Sequence, residues 1–324
     1  MAKKITILTT GGTVAGLKSG LSSIYESAKL GFDEIFPPAL QKRVKESLGI
    51  EINVQNVFNI GSQDMDNAHL LNLAKAAQSA SENCDGVVIL HGTDSIEESA
   101  YFLNLVLKTS ANVVLTGAMH TSDSLIFDGA ANIYDALILA SSDEAQNMGV
   151  LGVFDGRIYS ARGLIKTHTR NVGAFDGTNS GQIGIIADNK ANFILKSAKA
   201  HTLNTPFDIK NIQSLAKVDV VYICADFNDR LYDFSKSDGL VLCAMGNANM
   251  PKNALETLKA LNIPKVRTSR ANIVDISKDG EIDDDAFNFI RANDLGASKA
   301  RILLMCALSI SKEREILQSY FDRF

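Results

Sequence analysis

Gly86-Val87-Val88-Ile89-Leu90-His91-Gly92-Thr93-Asp94-Ser95-Ile96-Glu97-Glu98 decides the fold. Its first five residues are apolar without alternation, as in a short strand buried on both faces. A polar, glycine-bearing loop follows. From residue 96 to 107 the apolar side chains recur every three or four positions, which is the period of a helix. The same unit repeats along the chain. Strands are predicted at 4–10, 52–58, 112–116 and 150–154, and further helices at 68–81 and 130–140. Apolar strands alternating with helices imply an α/β fold, a mostly parallel sheet with helices on both faces and right-handed crossovers.

Past residue 180 the rhythm changes. A hairpin is predicted from 183–186 and 193–195, turning at Asp188-Asn189, and a polar stretch from Ser197 to Asn211 reads as a connector. Strand and helix signals then resume, with strands at 218–224, 239–243 and 266–269 and helices at 254–261, 299–309 and 312–321. The expected organisation is a larger N-terminal α/β domain (1–196), a linker (197–214) and a smaller C-terminal α/β domain (215–324).

Composition narrows the class. With 324 residues, 46% hydrophobic and 21% charged, the chain can bury two cores. A net charge of −5 with no run of Lys or Arg argues against a nucleic-acid partner. The apolar stretch 302–310 is far shorter than the roughly 20 residues that span a bilayer, so no membrane role is expected. The N-terminus runs straight into a strand without a signal-peptide pattern, which favours the cytoplasm. A processed periplasmic chain would begin the same way. Cys84, Cys224, Cys243 and Cys306 form no C-x-x-C pair, and the five histidines show no ligand spacing. Buried reduced thiols, no metal and no cofactor are expected.

In an open parallel sheet, ligands bind beyond the carboxyl ends of the strands. Four polar loops fall there: Thr10-Gly11-Gly12-Thr13-Val14-Ala15-Gly16, Gly61-Ser62-Gln63-Asp64, His91-Gly92-Thr93-Asp94 and Gly117-Ala118-Met119-His120. Each has a plain structural reading. Gly-Gly-Thr can be a turn with a cap, Ser62 and Asp64 can be caps, Thr93-Asp94 can start a helix, and His91 can be a core histidine. Their common position at strand ends points instead to one site. A phosphate-binding loop is not supported: Gly11 and Gly16 have its spacing, but Leu17 stands where that motif needs Lys, and G-x-G-x-x-G is absent.

These residues resemble the bacterial-type L-asparaginases, including the related glutaminase-asparaginases, and the resemblance covers nearly the whole chain. Residues 10–16 and 90–98 look like the two threonine signatures of that family. Asn59-Ile60-Gly61-Ser62-Gln63-Asp64-Met65, Gly117-Ala118-Met119, Lys166-Thr167 and Gly246-Asn247-Ala248-Asn249 support them. The Gly61-Ser62-Gln63-Asp64 form looks closer to the high-affinity, type II branch, which is usually exported. The resemblance implies a hydrolase that converts L-asparagine to L-aspartate and ammonia through a threonine acyl-enzyme, with minor L-glutaminase activity. It implies that Thr13 is the nucleophile and Tyr25 its partner on a lid spanning 17–30. Thr93, Asp94 and Lys166 would form a second cluster. Ser62, Gln63 and Asp94 would clamp the α-carboxylate and α-amine, and the Ala118 backbone would meet the scissile amide. Asn249 and Glu281 would complete the site of a neighbouring subunit, in a homotetramer built as a dimer of dimers.

The chain departs from that pattern in places. His120-Thr121 stands where Arg-Pro is usual, His168 where Asn is usual, Thr178-Asn179 where Pro-Asn is usual, and Ala28 where Gly is usual near Tyr25.

The chemistry has its own requirements. A threonine hydroxyl attacks an amide only with a base within hydrogen-bond reach. Tyr25 and Lys166 are the candidates, and Asp94 beside Lys166 would favour the ammonium form, which opposes a base role. Backbone N–H groups of the glycine loops would hold the tetrahedral intermediate. Two other readings are an amidotransferase subunit, which would carry an extra N-terminal domain, and an amino-acid sensor, which would have broken catalytic positions.

Overall fold

The computed structural model describes residues 2–18, 25–26, 29–228, 232–278 and 280–324. The chain divides into two compact units, Met1–Asn211 and Ile212–Phe324.

The first unit contains β1 (Lys3–Gly11), β2 (Leu17–Lys18), β3 (Tyr25–Glu26), α1 (Phe32–Ile35), α2 (Pro38–Leu48), β4 (Ile50–Ile60), α3 (Asn67–Ser81), β5 (Gly86–Leu90), α4 (Ile96–Val106), β6 (Asn112–Thr116), α5 (Gly129–Ser141), β7 (Val150–Phe154), β8 (Arg157–Ser160), β9 (Leu164–Lys166), β10 (Phe175–Gly177), β11 (Gly184–Ala187) and β12 (Lys190–Phe193). Its main sheet has the order β12-β11-β8-β7-β6-β5-β1-β4. From β7 to β4 all neighbours are parallel, and from β7 to β12 all are antiparallel. Every residue of β5, β6 and β7 is buried. Ile5, Ile7, Val88, Leu90 and Val114 pack with Ile133, Ala136 and Leu137 of α5 and with Phe32 and Ile35 of α1. The alternate residues Leu8, Val87, Ile89, Val113 and Leu115 point to the opposite face and are also buried, so helices cover the sheet on both sides.

The hairpin β11–β12 turns through Asp188 and Asn189, at φ of 52° and 57°. A two-residue hairpin loop requires that left-handed backbone, and Asp and Asn tolerate it best after glycine. The polar stretch read as a connector is fastened to α4 over much of its length. Lys108 Nζ, just beyond α4, donates to Thr202 O, Thr205 O and Thr205 Oγ1, and Ile209 N–H donates to Val106 O.

The second unit contains β13 (Val218–Tyr222), β14 (Gly239–Ala244), α6 (Lys252–Lys259), β15 (Lys265–Ser269), α7 (Asp284–Phe287), β16 (Phe289–Arg291), α8 (Ala297–Ala307) and α9 (Arg314–Arg323). Its four strands are parallel in chain order. Val221, Leu240, Leu242 and Phe289 pack against Ala254 and Leu258 of α6. The cysteines depart in part from expectation. All four are free, but Cys224 is exposed and Cys84 half-buried, because Cys224 falls on the solvent side of the alternation that continues from β13, an edge strand. Among the described residues no helix is long and apolar enough to cross a membrane, and no group of three His, Cys, Asp or Glu side chains is placed to hold a metal ion.

Candidate active site

β1 and β5 lie side by side, and the chain leaves them in opposite directions. From β1 it returns as β4 on one side; from β5 it passes through α4 to β6 on the other. Their carboxyl ends therefore form the topological switch point where open α/β sheets bind ligands. The Thr13 and Thr93 loops occupy those two ends.

The loops meet through glycine backbone. At the end of β1 the pairing with β4 slips between Thr9 and Gly11, and Gly11 and Gly12 follow at φ of 96° and 82°. A methyl group on Gly12 would stand 2.5 Å from Gly92 Cα, and one on Gly92 would stand 2.6 Å from Ser62 Oγ. Only glycine permits that backbone and that approach. Thr13 then opens a single 3-10 turn, Thr13–Ala15, half-buried at the strand end.

Ser62 ties the third loop on. Its buried Oγ accepts the Asp94 N–H at 3.1 Å, and its carbonyl accepts from Ser95 Oγ at 2.7 Å. The Ser62 hydroxyl hydrogen is thus left to donate elsewhere. Gln63 is exposed, its Nε2 3.3 Å from Asp64 Oδ2.

Lys166, at the end of β9, joins the Thr93 loop. Its Nζ donates to Thr93 Oγ1 at 2.9 Å and to Asp94 Oδ1 at 2.6 Å. Thr93 is buried, while Asp94 is more than half exposed. Because Thr93 accepts from the lysine, its own hydroxyl hydrogen points elsewhere. Glu97, in the first turn of α4, accepts the Lys166 N–H at 2.9 Å and so fixes the residue by its backbone. His91 is fully buried, with Nδ1 2.7 Å from Gly92 O and Nε2 3.0 Å from Ser99 Oγ. The carbonyl can only accept, so Nδ1 carries the proton and Nε2 accepts from Ser99. Burial outweighs the bond to Gly92 and lowers the histidine pKa to about 4. His91 is therefore a neutral strut within the loop.

The fourth loop is bracketed. The Asp128 carboxylate accepts the N–H groups of Met119 and His120, and Asn132 Nδ2 donates to Gly117 O. Ala118 between them is 1% exposed.

Sequence reasoning passed over Glu97, Asp128 and Asn132. Glu97 reads as a helix-start acid, and Asp128 lies just ahead of the helix expected at 130–140. A backbone role of this kind leaves no pattern of its own. Tyr25 is described by its backbone, paired with Lys18; the role expected of its side chain, and most of the 17–30 lid, lie outside the described residues.

Asn249 and Glu281 belong to the second unit, on loops that adjoin one another. Asn247 Oδ1 accepts the Ser277 N–H at 3.0 Å, its Nδ2 donates to Ser277 Oγ at 2.9 Å, and a methyl on Gly280 would meet that Nδ2 at 2.7 Å. Arg267, 1% exposed, donates to Asn247 O and Ser277 O, each at 2.9 Å, and to both oxygens of buried Asp284. Glu281 is exposed. Among the described residues Asn249 Oδ1 is buried without a hydrogen-bond partner.

Comparison with known proteins matches this architecture along its length. Residues 4–199 match the family described as "Asparaginase, N-terminal", and residues 217–321 match the "Glutaminase/Asparaginase C-terminal domain". The chain is 36% identical to L-asparaginase 2 of Escherichia coli K12, over 99% of this chain and 93% of that one. It is 32% identical to the glutaminase-asparaginase of Pseudomonas fluorescens, over 98% and 89%. Among solved structures, the probable cytoplasmic L-asparaginase from Campylobacter jejuni superposes with a TM-score of 0.91 at 36% identity, covering 99% of this chain and 100% of that one. Two family matches in their expected order, over the same two units, leave one conclusion: the chain belongs to the asparaginase family.

Proposed function

We propose that the chain hydrolyses the side-chain amide of L-asparagine, with minor action on L-glutamine, and that Thr13 is the nucleophile. The observation that carries this reading is the meeting of the Thr13 loop with the Thr93–Asp94–Lys166 cluster at the β1–β5 switch point. Thr13 Oγ attacks the amide carbon and its proton passes to the leaving nitrogen, which departs as ammonia. Water then cleaves the ester at Thr13, releasing L-aspartate and restoring the hydroxyl. Tyr25 and Lys166 are the two groups able to carry the first proton. Lys166 and Asp94 fix Thr93, and Ser62, Gln63 and Asp94 take the α-carboxylate and α-amine. Asn249 and Glu281 complete the site of a second copy, in a dimer of dimers. The unpartnered Asn249 oxygen supports that reading, since a buried acceptor without a donor is costly unless a ligand or a neighbour supplies one.

The test is ammonia release from L-asparagine, L-glutamine and the D-isomers by wild-type protein and Thr13→Ala. L-asparagine is expected to be the best substrate. Thr13→Ala is expected to fold and to bind L-aspartate while turnover is abolished. If it keeps more than about a tenth of wild-type kcat, the loss is under ~1.4 kcal/mol and Thr13 is not the nucleophile.

A further inference from the structure

We propose that Asp128 and Asn132 are positioning residues that aim the Ala118 carbonyl at the N–H of the scissile amide; this rests on the function proposed above.

Asp128 stands at the N-cap of α5, where an aspartate ordinarily accepts a backbone N–H of its own helix. Here its side chain makes no capping bond. It turns to the loop after β6, where Oδ1 lies 3.1 Å from Met119 N and 3.0 Å from His120 N, and Oδ2 lies 3.0 Å from Met119 N. One helical turn on, Asn132 is 4% exposed and fully engaged. Its Nδ2 donates to Gly117 O at 3.0 Å and to Asp128 Oδ2 at 3.1 Å, and its Oδ1 accepts the Asp155 N–H at 3.1 Å.

The peptide on each side of Ala118 is therefore held by one of the two side chains. The consequence follows from peptide geometry. Met119 N–H and Ala118 C=O belong to the same peptide unit, and no cis bond occurs among the described residues. In a trans unit the carbonyl points opposite to the N–H, so binding the N–H to Asp128 drives the Ala118 oxygen directly away from α5. A carboxylate on the N–H also polarises the unit, which makes its carbonyl a stronger acceptor.

That oxygen has work available. Among the described residues no donor reaches it, although Ala118 is buried. The loop lies against the Thr93 loop, since a methyl on Gly117 would collide with the His91 carbonyl and touch Thr93 Cγ2 at 3.5 Å. It also reaches the Thr13 loop, because Ser122 Oγ donates to Gly16 O at 3.1 Å. A carbonyl fixed between both threonine loops suits one substrate group above others, the N–H of a primary amide.

The test compares L-asparagine with the β-methyl ester of L-aspartate, which has the same acyl group but no N–H on its leaving group. In Asp128→Ala, kcat on asparagine is expected to fall about 100-fold, as for a loss of alignment at the reacting group, and kcat on the ester less than about tenfold. Inhibition by L-aspartate stays near its wild-type value, because the α-groups bind elsewhere. Asp128→Asn restores only part of the amide activity, since its one amide oxygen can still accept from Met119 and His120 while its NH2 group faces the Asn132 Nδ2 donor. Should Asp128→Ala fail to fold, Asn132→Ala carries the same comparison. Equal losses on both substrates, or no loss on either, overturn the positioning role. A wild-type protein inactive on both substrates overturns the proposed function itself, a result distinct from equal losses.

Discussion

The loops at the ends of β1 and β5 meet backbone to backbone, with Gly12 on Gly92, and Gly92 in turn leaves no room beside the Ser62 side chain. The Asn247 and Ser277 loops of the second unit are instead tied by side chains, through Asn247 and a buried Arg267–Asp284 ion pair. The two devices differ in what they tolerate. A backbone contact cannot give way by a rotamer change, so its loops stay in place at no cost in buried charge. An ion pair in the interior binds strongly, but each partner is costly once the other is removed. Rigidity by exclusion serves the loops read as carrying the nucleophile; rigidity by charge serves the loops read as reaching a neighbour.

The largest expected effect breaks the first device. Gly92→Ala drives a methyl into Ser62 Oγ and Cβ, 2.6 and 2.7 Å away, and against Gly12 Cα at 3.2 Å. It is expected to lower kcat by more than about 100-fold through misplacement of the Thr13 loop. A Gly92→Ala enzyme of near-normal kcat would show that this contact does not set the site.

Next comes the ion pair. Asp284→Ala leaves Arg267 buried and uncompensated, and urea unfolding is expected to show a loss of about 3–5 kcal/mol. Replacing both partners by apolar residues of similar volume is expected to recover most of that loss. If the single variant costs under about 1 kcal/mol, the contrast between the two devices fails.

The smallest effect sharpens the comparison from the acid side. His91, inside the loop held by exclusion, has its pKa lowered by burial to about 4. A histidine whose folded pKa lies below its unfolded value of about 6.5 adds stability that is present above that value. That stability is lost as pH falls toward 4, at up to about 1.4 kcal/mol per pH unit. The gap in stability between wild type and His91→Gln should therefore narrow from pH 7 to pH 4.5. An unchanged gap would mean that His91 does not titrate between those values.

What could be read beforehand follows from how strongly each segment is buried. β5, β6 and β7 begin and end where expected, because uninterrupted apolar runs are cut short by polar or glycine residues. β4 is an edge strand with exposed residues along most of its length, and it extends past the expected 52–58 on both sides. α2 starts at the second of two prolines and packs only a narrow stripe, Leu40, Val44 and Leu48, of which Val44 alone is buried, so its signal is weak. β16 is three residues long, too short for any alternation to show. The threonine loops could be found because glycine and threonine at a strand end form a pattern. The supports could not, since Glu97, Asp128 and Asn132 act on backbone groups that no residue type advertises. Arg267 carried one clue, a charge inside a strand read at 266–269, which needs a buried partner.

The strand order has a bearing on synthesis. Gly12 emerges early from a growing chain, yet the neighbour that fixes it, Gly92, follows eighty residues later, and Lys166 later still. The nascent protein thus carries the threonine proposed as nucleophile long before Gly92 and Lys166 can orient it. Long-range closure of this kind is slow, because chain entropy is lost before any contact forms. Until β5 docks against β1, the threonine remains an ordinary alcohol.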